Sequence, residues 1–567
     1  MLPLARIAAP LGVLASLLAP AAASAIDPSL SALKALQGGG ASAARVPLGL
    51  QGGVHASAAA RHEGLRALAA TRGPARVLIA VRSHAAVDSV ARDAAAYGTD
   101  IEILRPTAVV AVSARSASAL AGRFRADPRV SAVEPNRVRR ISTDPGDDID
   151  PETGIPFNWA FNEVRAAQGL AAVGGGSNRI VAVIDSGADV GHPDIAESIV
   201  ATFNSNDGSA DVTDGVGHGT FVTGLVSMQH DNGIGAKGAG GRTRVIAIRA
   251  DDGFGRFSSE SLLRAKEAAV GGGADIINLS LGGAAISESE ARALVVAFLA
   301  DLLPVAAAGN SGEQGNPVQF PAAAIGGERG EVGIGLSVGA TKPDGAPAGF
   351  STHNRFVSVA APGASQGACE KGVFSAVPAN RNLIFDDPQS CSDVYSQGGG
   401  GRYGYSEGTS FATPIVSAVA ALAWQAERRL QSEQVADVLQ RSARQTFRPS
   451  GGWNEFTGHG VVDAGAAVEL ARRFDITPPA FRVSRKRAGR GFEVFVGRGR
   501  DRTARGDELA GGVTYALAVR TRDGDVRFIV NPRRRAIRTR VSARKARYEA
   551  VACDANGNCR VRSLRIR

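Results

Sequence analysis

Three rhythms of apolar and polar residues succeed one another along the chain. From Arg76, RVLIAV alternates and then runs apolar, which predicts a strand. Residues 84–97 have helical spacing, IEILRPTAVVAVSA predicts two more strands, SASALAGRFRADP a second helix and VSAVEPN a last strand. The sum is a small β-α-β-β-α-β sandwich. In the centre, RIVAVID, TRVIAIRA, DIINLSLGG, LPVAAAGN, GIGLSVGA and FVSVAAPG are continuous apolar runs, as expected of strands buried on both faces. Between them, SSESLLRAKEAAV and SESEARALVVAFLADLL combine serine caps with apolar residues three and four apart. Alternating strand and helix predicts an α/β fold with a doubly wound, mostly parallel sheet, whose chemistry gathers beyond the carboxyl ends of the strands. Past residue 473 the helices stop. DITPPAFRVS, GFEVFVG, TYALAVRT, RFIVNP and RYEAVACDANGNCRV read as strands of a small β-sandwich, with DANGN as a hairpin signal.

The remaining stretches set the domain plan. Residues 1–25, MLPLARIAAPLGVLASLLAPAAASA, read as a bacterial-type secretory signal: Arg6 is the positive flank, an apolar stretch follows, and Ala23-Ser24-Ala25 offers small residues for cleavage. Pro10 and Pro20 bracket a run well short of the roughly 20 residues a membrane anchor needs. Residues 26–73 are low in large apolar groups, and STDPGDDIDPETG is a polar connector. The plan is therefore signal (1–25), low-complexity segment (26–73), small α+β domain (74–142), central α/β domain (150–473) and C-terminal β-sandwich (474–567). A chain of 567 residues has room for these.

Export permits disulfides, and the four cysteines fall into two local pairs, Cys369 with Cys391 and Cys553 with Cys559; free thiols are the alternative. From Phe474 onward there are 24 Lys and Arg against 9 Asp and Glu. A domain so basic either binds anionic surfaces or simply presents a solvated face. No Cys and His spacing suggests zinc, and no feature points to a specific nucleic acid.

Three strand ends and helix starts carry reactive groups. RIVAVID runs apolar into Asp185, and a carboxylate directly after a buried strand is costly without a partner. VGHGTFVTGLVS sets His218 between glycines at the start of a helical run, and GTSFATP sets Ser410 likewise. A helix N-terminus has unpaired N–H groups and a partial positive charge that favours a developing oxyanion. Thr409 or Ser410 could cap that helix, and Ser410 could equally be a nucleophile. Pro414 is tolerable if it falls in the first turn. Each signal alone is modest. Their chain order, Asp, His, Ser, is the one found in subtilisin, the general example of that order.

IDSGADVGHPD, GHGTFVTGLV and GTSFATP resemble the three signature blocks of the subtilisin-like serine peptidases, and the likeness runs over roughly residues 155–472 through INLSLGG (277–283), AAAGN (306–310) and GHGVVDAGAAV (458–468). The resemblance implies a secreted serine endopeptidase made as a zymogen and acting on protein or peptide substrates. It implies Ser410 as nucleophile, His218 as general base, Asp185 as the group that orients the imidazole, and Asn310 as oxyanion donor beside the Ser410 N–H. Ser280, Leu281 and Gly282 would pair with an extended substrate, and Ala307, Ala308 and Gly309 would wall the primary pocket. Gln319 and Phe320 would lie near its floor. Phe411, Thr413 and Ile415 depart from the residues common in the family, and Phe411 should pack beneath the site. By the same resemblance, residues 74–142 would be a propeptide that inhibits in cis, with the maturation cut between Arg139 and Thr153, where Arg139-Arg140 is a tempting but weak signal. A structural calcium would be held by Asp194, Asn232 and the carbonyls of Ile234 and Ala236. The reading from another class is a silent peptidase fold whose basic C-terminal domain binds surfaces.

Overall fold

A computed structural model describes residues 75–136, 138–141, 159–230, 232, 235–365, 372–380, 382–386, 395–396, 401–447, 452–488, 491–500, 514–521, 526–530, 536–542, 546–554 and 558–564. The signal, the low-complexity segment, and Cys369 and Cys391 lie outside them. The described residues divide into two units, one within 138–474, the other of 75–136 with those beyond 474.

The first segment follows its sequence pattern closely. β1 (Ala75–Val81), α1 (His84–Ala94), β2 (Gly98–Leu104), β3 (Val109–Ala114), α2 (Ala117–Phe124) and β4 (Val130–Pro135) form an antiparallel sheet ordered β2-β3-β1-β4. β1 is central and buried from Val77 to Val81, which is why RVLIAV ends in an unbroken apolar run. Each helix buries positions i, i+3, i+4 and i+7: Val87, Val90, Ala91 and Ala94, then Ala117, Leu120, Ala121 and Phe124.

The strands of the larger unit are, in chain order, β5 (Val138–Ile141), β6 (Ile180–Asp185), β7 (Ile199–Asn204), β8 (Arg244–Arg249), β9 (Arg256–Ser258), β10 (Ile276–Leu279), β11 (Leu281–Gly282), β12 (Leu303–Ala307), β13 (Leu336–Thr341), β14 (Val359–Pro362), β15 (Val373–Val377), β16 (Tyr395–Ser396) and β17 (Arg402–Ser406). Seven of them make a parallel sheet ordered β14-β13-β12-β10-β6-β8-β7. All six apolar runs of the sequence are in it. The seventh member, β7, escaped the pattern because it is an edge strand and half exposed. The helices of the larger unit include α3 (His218–Ser227), α4 (Ser259–Gly271), α5 (Glu288–Leu299) and α6 (Thr409–Ala426). Ser258 caps α4 by accepting from Ser261 N–H, and Ser287 with Glu290 forms a capping box on α5. The strand order reverses at β6, which lies between β8 and β10. That switch point is where such a sheet opens a crevice.

A second, three-stranded antiparallel sheet is ordered β11-β5-β9. β5, only a few residues beyond the small α+β fold, thus lies between two strands of the larger unit. Its register pairs Leu281 with Ile141 and Gly282 with Arg140 on one side, and Phe257 with Arg139 and Arg256 with Arg140 on the other.

The C-terminal segment has β18 (Ala480–Ala488), β19 (Gly491–Arg500), β20 (Thr514–Thr521), β21 (Val526–Val530), β22 (Ala536–Ser542), β23 (Ala546–Cys553) and β24 (Cys559–Leu564), in sheets β18-β19-β22 and β21-β20-β23-β24. Phe481, Val494, Val496 and Ile537 of one sheet share a core with Tyr515, Leu517, Tyr548 and Ala550 of the other, as a sandwich requires. Cys553 and Cys559 form the expected disulfide across the β23–β24 hairpin. Among the described residues no helix is long and apolar enough to cross a membrane.

Candidate active site

Asp185 is the last residue of β6 and is fully buried. Its Oδ1 accepts the Ser186 N–H at 2.7 Å and meets His218 Nδ1 at 2.7 Å. An oxygen already accepting one hydrogen bond there takes the ring proton too, so Nδ1 carries the hydrogen and Nε2 presents its lone pair. Nε2 is buried and makes no hydrogen bond. His218 opens α3 behind Gly217, whose φ is 94°. The helix start comes so close to the loop after Asp185 that a Cβ on Gly219 would lie 2.1 Å from Gly187 O. Glycine at 219 is therefore a condition of the Asp185–His218 contact.

Asp214 was not singled out in the sequence, yet it ties these pieces together. Fully buried, it accepts from Gly217 N–H (2.8 Å), Val216 N–H (3.2 Å), Thr220 N–H (2.8 Å), Thr220 Oγ1 (2.7 Å) and Ser186 Oγ (2.9 Å). Ser186 Oγ in turn accepts from Gly219 N–H at 2.9 Å. One carboxylate thus satisfies the orphan donors at the start of α3 and links them to the residue after Asp185. The signal was available: an Asp four residues before His218 at a helix start.

Ser410 is the second residue of α6 and is fully buried. The helix starts behind Gly408, with neither Thr409 nor Ser410 as its cap. Pro414 lies beyond the first turn, inside the helix, which corrects the expectation for it. Having no N–H, it cannot bond to the carbonyl four residues back, and that carbonyl belongs to Ser410. Ser280 Oγ takes its place, donating to Ser410 O at 2.6 Å. Asn278 Nδ2 donates to Ser280 Oγ at 3.0 Å, and Ser417 Oγ donates to Asn278 Oδ1 at 2.9 Å. The end of β10 and the start of α6 are thereby fixed to each other. Phe411 lies 5.1 Å from the His218 ring and 4.7 Å from Phe221, ring centre to ring centre, so α3 and α6 meet at these residues as the packing expectation held.

Asn310 follows β12 and Gly309, whose φ is 110°. It is 9% exposed, and its Oδ1 accepts both Thr409 N–H (2.9 Å) and Thr409 Oγ1 (2.8 Å). The amide NH₂ is therefore the end turned away from Thr409. Leu281 and Gly282 form β11 and pair with β5, while Ala307 and Ala308 are buried at the end of β12.

The calcium candidates are partly joined. Asp194, fully buried, accepts from Asn232 Nδ2 at 2.7 Å and from Gln229 N–H at 3.1 Å. Burial raises its carboxyl above the ordinary range, against the hydrogen bonds of Asn232 and Gln229 that lower it. Burial likewise keeps His192 below its ordinary value, and the neutral ring accepts the Asp194 N–H at Nδ1 (3.2 Å) while meeting Arg402 O at Nε2 (2.9 Å). A Cβ on Gly235 would lie 2.2 Å from Asp194 Oδ2. Ala236 is buried nearby with Met228 and Tyr403, and Ile234 is outside the described residues. No group of three or more His, Cys, Asp or Glu able to hold a metal occurs among the described residues.

A family model described as the subtilase family matches residues 176–460. The chain is similar to a thermostable alkaline protease of Halalkalibacterium halodurans, 29% identical over 347 residues that cover 61% of this chain and 80% of that one. It is similar to subtilisin E of Bacillus subtilis, 27% identical over 355 residues, 60% and 80% of the two chains. A thermophilic serine proteinase of Bacillus sp. (strain AK1) is 30% identical over 305 residues, 52% and 63%. The family match takes in half of the chain and spans the crevice from Asp185 to Ser410, so the chain belongs to the subtilase family and is a subtilisin-like serine endopeptidase, with proteins or peptides as its substrates.

Proposed function

We propose that the protein is a secreted endopeptidase, made as a zymogen, that works by an Asp185–His218–Ser410 triad through an acyl-enzyme. The observation that carries the chemistry is the 2.7 Å contact between two fully buried groups, His218 Nδ1 and Asp185 Oδ1. It leaves Nε2 as the base. Ser410 Oγ attacks the substrate carbonyl carbon and gives its proton to Nε2. The tetrahedral oxyanion receives the Ser410 N–H at the start of α6 and the Asn310 NH₂. On collapse the C–N bond breaks, the imidazolium protonates the leaving amine, and Ser410 holds the acyl group. Water, deprotonated by the same imidazole, then releases the acid and restores the serine. In subtilisin, the source of the figure, loss of the oxyanion amide costs about 10²–10³ in turnover.

Substrate would bind as an extended strand. The pairing of β5 with both β11 and β9 supports this, because a strand of this same chain already uses those two edges. It also supports residues 74–142 as a propeptide that blocks the cleft until it is cut. Calcium would be structural. A hard cation beside Asp194 Oδ2 would supply the counter-charge that this buried carboxylate lacks, with Asn232 and the carbonyls of Ile234 and Ala236 as further oxygen donors. The basic C-terminal sandwich would hold the enzyme to anionic surfaces.

The test is S410A. The native protein should hydrolyse casein and take a fluorophosphonate on Ser410. The variant should do neither and should accumulate as an uncut precursor. Casein hydrolysis undiminished in S410A would refute the assignment.

A further inference from the structure

Gln319 lies against both Gly282 and Gly309, which the family resemblance assigns to the two walls of the primary pocket. The segment that carries Gln319 is tied to the first wall, with Gly283 N–H donating to Phe320 O at 2.9 Å and Phe320 N–H to Gly283 O at 2.8 Å. From there the Gln319 side chain reaches the second wall. A Cβ on Gly309 would lie 2.5 Å from Gln319 Cδ, and one on Gly282 2.9 Å from Gln319 Oε1. Gln319 Nε2 donates to Ser311 Oγ at 3.2 Å, which tethers the amide where it lies. One side chain therefore rests on the bare backbone of both glycines.

We propose that Gln319 closes the floor of this pocket, so that the enzyme cuts after small side chains such as alanine, serine or glycine. The inference rests on the peptidase reading above and names its substrate class. A large side chain entering between the walls would have to expel the amide and break its bond to Ser311, leaving polar groups to be satisfied elsewhere.

The mature enzyme, checked for its fluorophosphonate adduct at Ser410, should be given a peptide library varied at the residue before the cut. Alanine, serine and glycine should exceed phenylalanine, tyrosine and leucine by about tenfold or more in kcat/KM. Q319G should raise the large residues relative to the small ones by a similar factor. A native enzyme that prefers phenylalanine or leucine, or a Q319G profile equal to the native one, would overturn the proposal while the peptidase reading stood. Absence of both adduct and hydrolysis would overturn the peptidase reading itself, and this proposal with it.

Discussion

Single residues show how far this chain spends polar groups in its interior. Asp251, fully buried after β8, accepts from Gly253 N–H at 2.8 Å and Gly255 N–H at 3.1 Å and meets Arg249 Nε at 3.2 Å. Burial outweighs these contacts and pushes its carboxyl up to about 6. The folded value then lies above the unfolded one of about 3.9. The folded state binds the extra proton, so this group favours folding below about pH 4, and that contribution is lost as pH rises through 6. D251N should remove the dependence. Melting temperatures of both proteins between pH 4 and 7 should move in the variant's favour by a few degrees on going to neutral pH. A constant difference across that range would contradict the burial argument. Asp185, His218, Ser410 and Asn310 were legible because each stands in a short motif at a strand end or helix start. Asp214 was legible only as an acidic residue before a helix start; that it accepts from five donors, one of them Ser186 Oγ across the fold, is shown only by three-dimensional proximity.

At the level of elements, the informative case is α6. Its proline cannot donate to the Ser410 carbonyl four residues back, and Ser280 from the end of β10 does so. S280A should remove that hydrogen bond, at a cost on the order of 1 kcal/mol in stability. P414A restores an N–H and should recover part of the loss, so the double variant should be less destabilised than the two single effects combined. Strict additivity in denaturant melts would show that the two residues do not share this carbonyl. Periodicity found six strands of the main sheet because each is a run of buried apolar residues, β14 included although it ends the sheet. It missed β7, half exposed at the other edge, and β22, where Arg538, Thr539 and Arg540 leave Ile537 and Val541 as the only large apolar residues. The Ser280–Ser410 bond spans 130 residues and had no local signature.

For the whole molecule, charge and chemistry lie in different parts of the chain. The excess of positive charge is in residues 474–567, which have their own core and their own disulfide. Removing them should leave casein hydrolysis by the matured enzyme within about twofold and abolish retention on heparin, an anionic polymer, at low salt. Retention that survives the deletion would place the anionic-surface role elsewhere. Composition announced this division, but not that β5 would pair with two strands of the larger unit. β5 is short, rich in arginine and unremarkable in pattern, and what defines it is its two neighbours. Those neighbours have a consequence for handling the protein. On the proposed zymogen reading, removal of residues 138–141 turns β9 and β11 into facing rails of unpaired N–H and C=O groups. Any loosened chain that drifts in is gripped by its backbone. In a concentrated stock the nearest such chain is a partly melted sibling, so shelf life should be governed by mutual digestion and should lengthen on dilution.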